Sequence, residues 1–219
     1  MPEFTLVQQV CIWVLPVLLS ITLHEASHAY VAYLCGDTTA KMFGRLSLNP
    51  LRHIDPLGTI FIPLLIGVLT HFNFVIGYAK PVPINWNQFR HPRRDIALVA
   101  LAGPFANLFM ATLWAACFKF ATYMHPESSM LGLFLIYTAR AGMVINLVLA
   151  ALNLLPIPPL DGSRVVSSIL PPKKAMVYER IEPYGFYILI LLLLTGILNS
   201  LLTPLINMGL FALSSIFQL

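Results

Sequence analysis

Charge is what this chain has least of: only 10% of its residues are Asp, Glu, Lys or Arg, while 58% are apolar. With a mean hydropathy of +0.80, that scarcity excludes a water-soluble domain of this length and places the protein in a bilayer. Cysteine is nearly absent as well. Cys11, Cys35 and Cys117 show no metal-ligand spacing, and an odd number cannot all pair, so they are expected to pack as small apolar residues. No long polar linker, repeat or soluble insert of domain size interrupts the apolar runs, which predicts one membrane-embedded domain over residues 1–219. The first residues, Met1-Pro2-Glu3-Phe4, lack the basic stretch of a signal peptide, so the segment behind them is expected to be retained.

What is present is a series of apolar runs near or above the roughly 20 residues that a spanning helix needs. They cover about residues 4–34, 96–118, 130–152 and 184–202, with a shorter run at 205–217. A further apolar run, Gly58 to Gly77, contains Pro63 and the polar interruption Thr70-His71-Phe72-Asn73. The reading is an all-α polytopic membrane protein of about five to six transmembrane helices, with a re-entrant or hairpin segment between the first and second long helices.

The basic residues orient it. Lys41, Arg45, Arg52, Lys80, Arg90, Arg93 and Arg94 fall between the first two long helices, and Arg164, Lys173, Lys174 and Arg180 follow the third. The positive-inside rule puts both groups in the cytoplasm, with the amino terminus outside and Gly58 to Gly77 returning to the side it left. The net charge of +4 is explained by this clustering at helix ends, and no nucleic-acid partner is expected.

His24-Glu25-Ala26-Ser27-His28 places two histidines one helical turn apart, able to share a metal ion, with a carboxylate between them able to accept a proton from water. Ionisable groups inside a membrane helix are costly, and three together call for a cation. Catalytic zinc sites keep three protein ligands and one open position. Of the nine acidic residues, Glu3, Asp37, Asp55, Asp95, Glu127, Glu179 and Glu182 lie in or beside loops and helix ends, where solvation is the default. Asp161 instead closes an apolar segment that Pro156, Pro158 and Pro159 prevent from being continuous helix. Unwound backbone at membrane depth survives where it lines a protein-enclosed or watery cavity, so Asp161 is the expected third ligand.

These motifs, with Ala102-Gly-Pro-Phe-Ala-Asn107 and Asn153-Leu-Leu-Pro-Ile-Pro-Pro-Leu-Asp161-Gly162 in that order, resemble the site-2 protease family of intramembrane zinc metalloproteases, peptidase family M50. The resemblance is nearest to its compact branch without a PDZ domain. It implies one Zn2+ per chain on His24, His28 and Asp161, with Glu25 as general base. It further implies that Asn107 and Asn153 hold substrate or stabilise developing negative charge. The implied activity is hydrolysis of peptide bonds within or near transmembrane segments of membrane-protein substrates, in a multi-pass cell-membrane enzyme whose site faces the cytoplasmic side. A zinc carrier or sensor, or a catalytically inactive membrane scaffold, are the competing readings.

In Gly77 to Asn85, Lys80, Val82 and Ile84 alternate with prolines, a pattern suited to a sheet edge, and this stretch is expected to pair with an unwound substrate. His53, His71, His91 and His125 lack ligand spacing and are expected in interfacial or loop roles. Arg140, in the middle of an apolar helix, needs a partner that the sequence does not name. Substrate identity and oligomeric state are not encoded in any motif.

Overall fold

The structure is a computed structural model and describes residues 5–61, 80–124 and 129–219. It is all-helical: no strand occurs among the described residues. Among the described residues, four helices are long and apolar enough to cross a membrane. They are α1 (Leu6–Leu34), α3 (Pro92–Thr122), α4 (Met130–Asn153) and α8 (Ile197–Phe217). Shorter helices lie between them: α2 (Thr39–Met42), α5 (Asp161–Ile169), α6 (Pro172–Glu179) and α7 (Gly185–Leu194). This is a multi-pass membrane protein.

Helix α1 starts where Thr5 and Gln8 satisfy each other's backbone N–H groups in a capping box. It continues through Pro16, whose carbonyl accepts the Ser20 hydroxyl at 2.7 Å. Helices α3 and α4 pack against each other and against α1, through small residues such as Ala111, Ala115 and Ala139 that let the backbones approach. Trp114, Met110, Met143 and Leu147 fill the space between them, and Leu213 of α8 closes that cluster. Arg140 is exposed on α4.

The carboxy-terminal third departs from the hydropathy reading. The apolar run 184–202 is not one span. It breaks at Gly196, whose φ of 75° lies in the left-handed region that glycine adopts without strain. Helix α7 therefore has 10 residues, about 15 Å, which is too short to cross a hydrocarbon core of about 30 Å. The separate short pass expected at 205–217 is absorbed into the 21-residue α8, which continues through Pro204. The segment expected to re-enter, residues 58–77, lies outside the described residues beyond Phe61.

The loop carboxylates are less solvated than expected. Asp37 is fully buried just after α1, where its Oδ1 accepts the Thr39 N–H and its Oδ2 the Asn85 N–H, each at 2.8 Å. Asp95 is buried with its Oδ2 accepting the His91 N–H at 2.8 Å. Backbone amides replace the water that the sequence reading assigned to both. His53, expected in a polar loop, is also fully buried, its Nε2–H donating to the Ser47 carbonyl at 2.8 Å.

Candidate metal centre

His24 and His28 lie about 15 Å and about 9 Å before the end of α1 by helical rise, on the side that faces α3, and both are buried. Asp161 comes from a different part of the chain. Helix α4 ends at Asn153, the proline-containing turn 154–160 includes a cis Pro158–Pro159 bond, and Asp161 is the first residue of α5. A carboxylate there is favoured by the helix dipole. Its Oδ2 lies 3.2 Å from His24 Nε2 and 3.3 Å from His28 Nε2, and the two Nε2 atoms are 3.0 Å apart.

The far nitrogen of each ring is already spoken for. His24 Nδ1–H donates to Asn107 Oδ1 at 2.6 Å, and His28 Nδ1–H donates to the Val99 carbonyl at 2.7 Å. Both acceptors are oxygens that can only accept, so both rings carry the proton on Nδ1 and turn the Nε2 lone pair inward. Two inward lone pairs cannot bond each other. Asp161 Oδ2, buried between them, also lacks a hydrogen-bond donor among the described residues. Three acceptor atoms with no proton to share fit a cation, and two nitrogens with one oxygen suit zinc.

Gly103 makes room for this cluster. A β-carbon there would fall 2.4 Å from His28 Nε2 and 2.5 Å from His24 Cε1. Helix α3 thus runs flush against both imidazole rings.

The remaining expected site residues separate into two groups. Glu25 and Asn153 line a cavity of about 270 Å³ together with His24, His28 and Asp161. Asn153 donates one N–H to the Leu149 carbonyl at 3.0 Å. Asn107, expected at the substrate, does not line that cavity. It is fully buried behind His24, and its Nδ2 donates to Asn146 Oδ1 at 3.0 Å and to the Ser20 carbonyl at 3.4 Å. With all three contacts taken inside the protein, it has nothing left for a substrate oxygen. Asn146, which the motifs did not flag, extends the chain by donating to the Gly142 carbonyl at 2.8 Å. Its one sequence signal is an amide in an apolar helix, two turns before Asn153.

Residues 80–86 roof the cavity through Pro81, Val82, Ile84 and Trp86. The Val82 N–H, expected to pair with substrate, donates instead to Glu25 Oε2 at 2.9 Å. The roof is also held at Lys80, whose N–H donates to the His53 carbonyl at 3.0 Å, and at Asn85 by Asp37. Arg164, one turn after Asp161, bonds Glu182 at 2.7 Å and places its guanidinium 5.6 Å from the centre of the Trp86 ring.

Comparison with known proteins decides the family. "Putative zinc metalloprotease YwhC" of Bacillus subtilis is 40% identical over 213 residues, covering 94% of this chain and 92% of that protein. This chain belongs to peptidase family M50. The family model itself, described as peptidase family M50, matches residues 127–196, which include Asn153 and Asp161. Two mycobacterial relatives, each named "Putative zinc metalloprotease Rip2", agree. The one from Mycolicibacterium smegmatis is 33% identical over 182 residues, and the one from Mycobacterium tuberculosis 30% over 183. The matches cover 83% and 84% of this chain and 66% of each relative. No solved structure matches. This M50 member is a metalloprotease, a hydrolase whose cofactor is zinc.

Because Asn107 sets the orientation of His24, replacing it with alanine in this M50 protease is expected to weaken zinc binding about 10- to 100-fold. Metal content after dialysis against a graded zinc buffer measures this. Unchanged affinity would mean that the amide does not govern the ring.

Proposed function

We infer that this M50 metalloprotease cleaves peptide bonds of membrane proteins within or near their transmembrane segments, with Zn2+ on His24, His28 and Asp161 and Glu25 as general base. The observation that carries the reading is the convergence of the Nε2, Nε2 and Oδ2 atoms among helices long and apolar enough to span a membrane, beside a cavity that Glu25 lines. Bound there, zinc would lower the pKa of water toward neutrality and polarise a scissile carbonyl.

The chain's own residues supply the rest. Glu25 accepts the proton of the attacking water through the oxygen that Val82 does not hold, then delivers it to the leaving amine. The Val82 N–H fixes the carboxylate so that no side-chain rotation is needed at the moment of transfer. Asn153, with one amide hydrogen committed to Leu149, has a second to offer the developing oxyanion. Asn107 orients His24 from behind. A helical substrate hides its carbonyls in internal hydrogen bonds, so local unwinding precedes attack, and Gly, Pro or Asn near the cleavage point lowers its cost. The basic residues near the site end of the bundle orient that end toward the cytoplasm.

The test uses the full chain in detergent with a panel of single-span helical substrates. Cleavage is expected, is expected to stop when a chelator strips the zinc, and is expected to return on re-addition. Zinc bound at about one per chain with no substrate of the panel cut would favour a carrier or scaffold.

A further inference from the structure

A second cavity, of about 560 Å³, opens beyond the end of α1, away from the metal centre. Arg45, Arg52 and Lys80 line it, and no carboxylate stands among its described lining residues. Arg45 Nη1 is buried without a hydrogen-bond partner among the described residues. Arg52 spends one Nη1 hydrogen on the Gly44 carbonyl, which fixes its guanidinium on the wall. Lys80 is set in place by its backbone bond to His53. Three cations around one hollow repel each other unless an anion sits among them, and two guanidinium groups present paired N–H donors that match phosphate oxygens.

The rim is apolar where a water-facing loop would be polar. Met42, Phe43 and Leu51 are 79%, 71% and 78% exposed, and all three line the same cavity. It lies just past the end of α1, a helix long and apolar enough to span a membrane, and a spanning helix leaves the acyl chains for the headgroups at its ends. A ligand that answers both features carries a phosphate and hydrocarbon chains.

We propose that this cavity binds the phosphate group of an anionic phospholipid, with Arg45, Arg52 and Lys80 holding its oxygens and Phe43 and Leu51 lying against its chains. Such a lipid would brace the roof of the metal centre, because Lys80 stands two residues from the Val82 amide that holds Glu25. The binding itself does not rest on the proteolytic reading.

The test titrates the full chain in detergent with dioctanoyl phosphatidylglycerol and counts bound lipid by native mass spectrometry. One phosphatidylglycerol per chain is expected, and Arg45→Gln and Lys80→Gln are each expected to weaken it about tenfold. Arg93→Gln, at an exposed position in the first turn of α3, leaves it unchanged. Zinc content equal to wild type in all three variants shows that they are folded. Equal retention by wild type and both cavity variants overturns the proposal, as does displacement by dioctanoyl phosphatidylcholine at equal concentration. If inorganic phosphate competes as well as the lipid does, the occupant is a free phosphate and the lipid assignment fails.

Discussion

Glu25→Gln is expected to keep about one zinc per chain and to lose proteolysis by roughly 10²- to 10⁴-fold, the range that a general base contributes. Glutamine has nearly the shape of glutamate, and its carbonyl oxygen can still accept the Val82 N–H that glutamate accepts at 2.9 Å. The roof therefore stays in place, and His24, His28 and Asp161 are untouched. Only the capacity to take a proton from water and return it to the amine is gone. Zinc measured by elemental analysis, alongside cleavage of a single-span substrate, separates loss of chemistry from loss of metal. A variant that retains more than about a tenth of wild-type activity would remove Glu25 from the proton transfer.

Gly103→Ala is expected to be as damaging by a different route. A single methyl group there would overlap His28 Nε2 at 2.4 Å and His24 Nε2 at 2.7 Å, the two atoms that point at the metal position. Neither ring has room to retreat, since its opposite nitrogen is anchored to Asn107 or to the Val99 carbonyl. Displacing reacting groups by about 1 Å costs on the order of 100-fold in rate, and zinc content is expected to fall with it. The helix is not the cause of such a loss, because alanine is a better helix former than glycine by about 1 kcal/mol. Normal zinc content and normal cleavage in this variant would show that α3 is not packed against the imidazoles as described.

Much of the metal centre was legible in the sequence because its chemistry conflicts with its surroundings. Two histidines and a glutamate inside an apolar helix, and an aspartate after a run of prolines, have few bland explanations in a membrane. Asn107 was flagged through the family motif instead, as a residue for substrate or developing charge, whereas its amide meets His24 and Asn146: a motif locates a polar group and does not say which way it points. Gly103 carried no signal of its own, because a missing β-carbon matters only through what occupies its place. The roof was read as a sheet edge for substrate, but its described residues form no strand, and the partner of Val82 was not legible: a backbone amide has no side chain to mark it. Hydropathy merged α7 with the start of α8 because an apolar average cannot register the single positive φ at Gly196. Asp37 and Asp95 were counted as solvated because burial by backbone donors leaves no trace in residue type.

The two histidines of the centre owe their aim to different kinds of support, and this gives them unequal vulnerability over evolutionary time. His24 depends on the side chains of Asn107 and, through it, Asn146, so substitution at either of two distant codons can disturb it. His28 is aimed by the main-chain carbonyl of Val99, which every amino acid possesses, so no replacement at position 99 deletes that acceptor. Drift away from metal binding in descendants of this sequence would accordingly begin at His24.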